Sequence, residues 1–155
     1  MDEVTMALLM AAAAGGGSGG GSGGASIAVL EVFTVTEDAD AVKYDLNSTW
    51  ASQYNFILLE VNVTYNNSEY LYYNYHTTTV AGNYLTGGAK NHWIMLPIRF
   101  NSSTNKWDRI VMNSNSSPVL ASSDAFPSYL YMKTYRANAA SFKGSTITVD
   151  GGNLA

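Results

Sequence analysis

The sequence predicts a mainly β protein, either a β-sandwich or a curled antiparallel sheet, with one short helix. Hydrophobic residues make up 46% of the 155 residues, which is enough for the core of one ordinary domain. Several short runs alternate between apolar and polar residues, as strands with one buried face do. Turn-forming Asn, Ser and Gly residues separate these runs, which favours an all-β arrangement.

Seven runs have the composition and alternation of strands. They are residues 26–36, 56–65, 69–76, 92–100, 107–112, 128–136 and 146–150. The clearest alternation is in residues 56–65, where Leu59, Val61, Val63 and Tyr65 share one face.

Turn signals predict two hairpins among these runs. Residues 66–68 (Asn-Asn-Ser) predict a turn, so the strands on either side, 56–65 and 69–76, are expected to pair. A second hairpin is expected around the polar residues 101–105, which separate the next two runs. Pro97 has no backbone N–H, so the first arm of this hairpin is expected at a sheet edge or a bulge.

One segment of the predicted β domain has helical character. Residues 47–55 begin with Asn47, a favourable N-cap, and place Trp50 and Tyr54 four residues apart. We expect a short helix or helical turn here, between the first two strands.

The N-terminal residues predict a separate layout of three parts. Residues 1–14, the docking segment, are expected to form a short apolar helix with Asp2 and Glu3 at its N-terminus. Residues 15–24 consist of Gly and Ser and predict a flexible tether, with ends about 17 Å apart. Residues 25–155 form the β-rich head. An engineered linker is an alternative explanation of the tether.

The apolar docking segment is too short to cross a bilayer. Export with cleavage near Ala14 is an alternative, but no Lys or Arg precedes Lys43 as a signal peptide would require. Such a helix becomes stable when another surface covers its apolar side chains. The side chains expected to make this contact are Val4, Met6, Leu8, Leu9 and Met10.

The composition argues against several classes of function. The net charge of −4 disfavours nucleic-acid binding, and the absence of cysteine excludes disulfides and thiolate chemistry. His76 and His92 lie in no metal-binding motif, and the carboxylates Glu60 and Asp108 come singly along the chain. We expect no enzymatic activity, no cofactor, no metal site and no membrane association.

Tyrosine and tryptophan are the most distinctive candidates for binding. Tyrosines crowd residues 70–75, and others line residues 129–135 together with Lys133. They could stack on sugar rings, form a subunit interface, or simply pack across strands. The candidates for an interface or a glycan site are Tyr70, Tyr72, Tyr75, Trp93, Trp107, Tyr129 and Tyr131.

The opening MDEVTMALLMAAAAGGGSGG resembles the start of small virion proteins of tailed bacteriophages and prophages. The segment VFTVTEDADAVKYDLNSTWASQYNFILLEVNV is similar to the beginning of their β-rich heads. The resemblance covers about the first 65 residues. It implies a head fibre, decoration protein or tail fibre on the outer surface of a virion, often trimeric, with its N-terminus bound to a capsid or tail protein.

These observations lead to a first hypothesis and two alternatives. The first is a non-enzymatic virion structural protein, bound to the particle by residues 1–14 and projecting a self-associating head, with a trimer favoured. The second is a carbohydrate-binding adhesion module that recognises a bacterial surface glycan through exposed Tyr or Trp. The third is an exported bacterial surface protein.

Overall fold

The computed structural model describes residues 26–64, 71–75, 84–86, 91–112, 117–134 and 142–154. The predictions made for the docking segment and the tether lie outside the described residues. Within the described part of the head, strands dominate and one short helix is present. The prediction of a mainly β fold with one short helix is therefore confirmed.

The described elements are ten strands and one helix. In chain order they are β1 (Ser26–Thr34), β2 (Ala41–Asp45), α1 (Trp50–Gln53), β3 (Phe56–Thr64), β4 (Leu71–Tyr75), β5 (Tyr84–Thr86), β6 (Asn91–Asn101), β7 (Lys106–Met112), β8 (Pro118–Ser123), β9 (Tyr129–Thr134) and β10 (Thr146–Asn153). Strands β2, β5 and β8 were not among the seven predicted runs. β8 begins with a proline and contains small residues, so its composition carries a weak strand signal.

The strands form two antiparallel sheets with a common core. One sheet has the order β1-β10-β3-β6-β7-β8, and the other has the order β2-β9-β4-β5. Ile57 and Leu59 from the first sheet and Leu130 and Met132 from the second belong to one buried cluster. Two layers around one core are the arrangement of a β-sandwich.

The predicted pairing of residues 56–65 with 69–76 is wrong. β3 pairs with β10 and β6 in the six-stranded sheet, whereas β4 pairs with β9 and β5 in the other sheet. Residues close in sequence therefore lie in different layers. Alternation showed which side chains of β3 face the core, but it contains no information about which strands are neighbours.

The second predicted hairpin is confirmed, with β6 and β7 paired around the expected turn. Asn101 organises this turn, because its carbonyl oxygen accepts the N–H of Asn105 at 2.7 Å and its side-chain oxygen accepts the N–H of Ser103 at 3.0 Å. Asn105 has a φ of 59°, a conformation that asparagine adopts more readily than most residues.

Pro97 lies just beyond the point where the pairing of β6 with β7 ends. β6 lies between β3 and β7, but its pairing with β7 runs only from Asn101↔Lys106 to Ile98↔Arg109. Pro97 itself is paired with Leu58 of β3. The strand is therefore a local edge on the β7 side at Pro97, as its missing N–H predicts.

The short helix is present, but its N-terminus differs from the prediction. The N-cap is Thr49, which makes no side-chain capping bond. Asn47, the predicted cap, instead accepts hydrogen bonds from the Thr49 N–H at 3.0 Å and the Thr49 hydroxyl at 2.8 Å. Asparagine forms such a local turn as readily as a cap. Trp50 is buried and anchors the helix on the core.

Candidate functional site

The outer face of the six-stranded sheet carries the large apolar side chains that are most exposed in the described structure. These are Val29, Val32, Trp93 and Leu120, with exposures of 62%, 60%, 64% and 52%. Cross-strand register and alternation place all four on the side away from the core. We call this surface the outer apolar face.

A β-bulge explains how Val29 and Val32 share this face. Side chains three residues apart on a regular strand point to opposite faces. The pairing of β1 with β10 shifts between Val29 and Glu31, so that Val29 lies opposite Asp150 and Val32 opposite Thr148. The extra residue turns both valines outward. Sequence alternation alone could not reveal this.

Two carboxyl groups lie in the middle of the same face. Glu60 on β3 lies opposite Thr148 on β10, and Asp150 lies two pairs further along, opposite Leu58. Such diagonal neighbours across a strand pair are within reach of each other. Their side chains are hydrogen-bonded, and Asp150 is only 6% exposed.

The environment of this pair favours retention of a proton. Burial, followed by the hydrogen bond and the negative charge of Glu60, raises the pKa of Asp150 to about 7. The two residues are 90 positions apart in the sequence, which is why their carboxylates looked single. The pairing of Glu60 with Asp150 therefore depends on strand register and could not be seen from spacing along the chain.

Part of the outer face is already covered by the chain itself. Phe56 and Leu58 are buried in a second, smaller apolar cluster with Ile27, Met95 and Leu154. β3 therefore buries apolar side chains on both faces at its N-terminal end.

Asp108, another buried carboxylate of this sheet, has a different environment. It accepts hydrogen bonds from the Ser122 hydroxyl at 2.6 Å and the Asn101 amide at 3.0 Å, and the Arg99 guanidinium lies 3.5 Å away. Burial would raise the pKa of Asp108, but the bonds from Ser122 and Asn101 and the charge of Arg99 outweigh burial and lower it. This carboxylate stabilises the β6–β7–β8 region as an anion.

Three predicted tyrosines meet on the outer face of the four-stranded sheet. Tyr129 and Tyr131 on β9 and Tyr72 on β4 alternate with buried residues and are half-buried. Tyr131 lies between Lys43 on β2 and Asn74 on β4. We call this surface the tyrosine face.

Lysines contribute the charge of the tyrosine face. The Lys43 ammonium lies 4.5 Å from the centre of the Tyr129 ring and 3.6 Å from the Asp45 carboxylate. Lys133 lies opposite Tyr72. Aromatic rings beside an amide and cations are the groups that commonly contact saccharides, so the arrangement is compatible with a glycan.

Two predicted site residues are in the core instead. Trp107 is 6% exposed and packs against Phe126 and Phe100, with ring centres 4.9 and 5.3 Å away. Tyr75 is 3% exposed and packs edge-on against Tyr73. The expectation that Trp107 and Tyr75 are exposed is wrong, because alternation turns both toward the opposite sheet.

The remaining candidate residues are either exposed on the surface or outside the described residues. Trp93 is exposed, as a binding residue should be, and lies opposite Asn62. Tyr70 and the docking residues of the N-terminal segment lie outside the described residues, as does His76. Of the predicted residues that the structure describes, it therefore brings together only Tyr72, Tyr129 and Tyr131.

A shallow groove lies between α1 and the β6–β7 hairpin. Its volume is about 270 Å³, and its lining includes Gln53, Tyr54, Phe100 and Trp107. The amide of Asn55, which also lines the groove, donates to the Leu154 carbonyl oxygen at 2.9 Å and accepts the Leu154 N–H at 2.6 Å. The Asn55 amide is therefore already satisfied and does not select a ligand in this groove.

Within the described ranges, no three His, Cys, Asp or Glu side chains are grouped as a metal ion would need. No helix in this part of the chain is long and apolar enough to span a membrane.

Comparison with known proteins gives no match for this chain, either among protein-family models or among curated protein sequences.

Proposed function

We propose that this protein is a non-enzymatic structural component of the outer surface of a bacteriophage particle, of the head-fibre or decoration type. Its β-rich head self-associates through the outer apolar face. The observation that carries the proposal is the grouping of Val29, Val32, Trp93 and Leu120 on one sheet face. Large apolar side chains that remain exposed on one face of a sheet are typical of protein–protein contacts.

The dimensions of the face fit an interface. Six strands at their usual spacing are about 29 Å wide, and strands of eight residues are about 26 Å long, which gives a face of about 750 Å². A standard interface buries about 800 Å² on each partner. A second copy of the chain that covers this face would therefore bury enough surface for a stable complex.

The N-terminal sequence supports the location on a particle. Residues 1–14 supply apolar side chains for binding to a capsid or tail protein, at about 1.5–3 kcal/mol for each large side chain that is fully covered. The tether of residues 15–24 allows head and particle to differ in symmetry. In a trimer, which the resemblance favours, the outer apolar face of each copy would be covered by a neighbouring copy.

The self-association is tested by light scattering of the full-length chain over a range of concentrations. We expect an oligomer whose mass falls to that of a monomer in the double variant Val32→Ser, Trp93→Ser. The matched control, Tyr72→Ser with Tyr131→Ser on the opposite sheet, should keep the oligomer. A monomeric wild type, or loss of the oligomer only in the control, would contradict the proposal.

The particle location is tested by incorporation of the protein into virions. Replacing Leu8 and Leu9 with Asp should abolish incorporation and leave the thermal unfolding of the head unchanged. The control is Ser18→Asp with Ser22→Asp, which adds the same charge within the tether. Incorporation that survives the Leu8 and Leu9 changes would show that residues 1–14 do not dock.

A carbohydrate-binding function is the second candidate, and the tyrosine face favours it. Tyr131 presents a half-buried ring between Lys43 and Asn74, with Tyr129 and Tyr72 nearby. Binding to bacterial polysaccharides on a glycan array, lost in Tyr131→Ala and retained in Trp93→Ala, would support this site. A blank array would remove this candidate.

A further inference from the structure

We propose that a second copy of this chain covers the outer apolar face and that this contact requires a proton held between Glu60 and Asp150. The inference rests on the proposed function, because it assigns pH control to the same association surface. It makes self-association of the head stronger in mildly acidic than in mildly alkaline solution.

The position of the carboxyl pair is the first step. In the order β1-β10-β3-β6, the two carboxylates lie on the middle strands β10 and β3. Val29 and Val32 flank them on β1, and Trp93 and Met95 flank them on β6. A partner that covers these apolar side chains must therefore also cover Glu60 and Asp150.

The second step is the absence of a compensating cation nearby in the described structure. The outward positions around the pair on the four strands are Val29, Val32, Leu58, Asn62, Trp93, Met95, Pro97, Thr146 and Thr148. Glu31 of β1 faces the other side, where the Tyr44 hydroxyl donates to it. Arg99 lies further along β6 and interacts with Asp108 at 3.5 Å.

The third step is the free-energy cost of covering charged carboxylates. Burial, followed by the hydrogen bond and the charge of Glu60, raises the pKa of Asp150 to about 7, so Asp150 becomes an anion as the pH rises through that value. Below that pH the pair shares one proton and carries one negative charge. Removing two adjacent charges from water costs more than removing one, so a covering copy favours the protonated pair.

The test is the concentration dependence of mass for the full-length chain at about pH 5.5 and at about pH 8, where the pair differs in protonation. We expect the association constant to be at least tenfold weaker at the higher pH, since each copy takes up about one proton. Glu60→Gln and Asp150→Asn should each associate almost equally at the two pH values.

Two control variants test whether the pH dependence of association comes from Glu60 and Asp150. Glu37→Gln removes the same charge from an exposed loop residue and should keep the wild-type pH dependence. Histidine in general changes charge near neutral pH, so the double variant His76→Gln, His92→Gln is the second control and should also keep the wild-type pH dependence. Thermal unfolding of each variant shows that the head remains folded.

The outcomes separate this inference from the proposed function. Wild-type association that is abolished by the Val32 and Trp93 changes but is equal at both pH values would overturn the inference alone. A pH dependence that persists in Glu60→Gln and Asp150→Asn would also overturn it. A monomer at every pH and concentration would overturn both proposals.

Discussion

The hydroxyl of Tyr44 on β2 donates a 2.5 Å hydrogen bond to the carboxylate of Glu31 on β1, and so joins the two sheets. A second tyrosine makes a similar link elsewhere in the sandwich, where the Tyr73 hydroxyl on β4 donates to the carbonyl oxygen of Ile110 on β7 at 2.8 Å. Each ring is buried in the core while its hydroxyl bonds the opposite layer. Tyrosine thus fixes the relative position of the two sheets.

Removal of these hydroxyls should destabilise the protein without changing its surface. We expect Tyr44→Phe and Tyr73→Phe each to lower the free energy of unfolding by about 1 kcal/mol, the usual net value of a hydrogen bond. Urea denaturation measures this change. Tyr131→Phe on the tyrosine face is the control and should change it little. Equal stability of all three variants would show that the two bonds do not contribute.

The protein should lose stability in alkaline solution. Burial, with the hydrogen bond and charge of Glu31, raises the pKa of Tyr44 above 10.0, and burial raises that of Tyr73. The unfolded chain therefore loses these protons first, so stability present below pH 10 falls as the pH rises beyond it.

Urea midpoints measured at about pH 8 and about pH 11, below and above the ordinary tyrosine pKa, check this expectation. The decrease in the urea midpoint between the two pH values should be smaller in Tyr73→Phe than in the wild type. An identical fall in both would assign the alkaline sensitivity to other groups.

The two strand tryptophans should respond in opposite ways to truncation. Trp107→Ala removes a buried ring that packs on Phe100 and Phe126, and should cost about 3–5 kcal/mol of stability. Trp93→Ala removes an exposed ring and should change the stability of the monomer by about 0.5 kcal/mol or less, while weakening association. Thermal unfolding and light scattering measure the two effects. Severe destabilisation by Trp93→Ala would mean that its ring packs within the monomer.

Gly152 permits the close approach of β1 to β10. A Cβ at this position would overlap the backbone carbonyl oxygen of Ser26, which cannot move without displacing the strand. Gly152→Ala should therefore destabilise the protein by about 1–3 kcal/mol. Gly151→Ala is the comparison, because its Cβ would meet the end of the Leu30 side chain, which can rotate away. An equal cost for both variants in urea denaturation would contradict this explanation.

The sequence predicted which side chains of a strand face the core better than it predicted which strands lie next to each other in a sheet. The inward side chains of β3, the β6–β7 hairpin and the local edge at Pro97 were predicted because each depends on local alternation or turn chemistry. The separation of β3 and β4 into different sheets was not predicted, because it depends on contacts with β6, β9 and β10, which are distant in sequence.

The candidate site was predicted only in part, for related reasons. Alternation correctly grouped Tyr129 and Tyr131 on one side of β9, and composition identified Trp93 as a candidate. The outer apolar face depends on the bulge near Leu30, and the carboxyl pair depends on the register of β3 with β10. Both features are non-local and have no sequence motif.

The most direct measurement of the central claim is the reactivity of a single cysteine placed on each sheet face. The chain has no cysteine of its own, so each variant carries one thiol. Asn62→Cys places it on the outer apolar face beside Trp93, and Lys43→Cys places it on the tyrosine face. Self-association through the outer apolar face predicts that maleimide modification at position 62 slows as protein concentration rises, while position 43 reacts at a constant rate. Protection at position 43 alone, or at neither position, would contradict it.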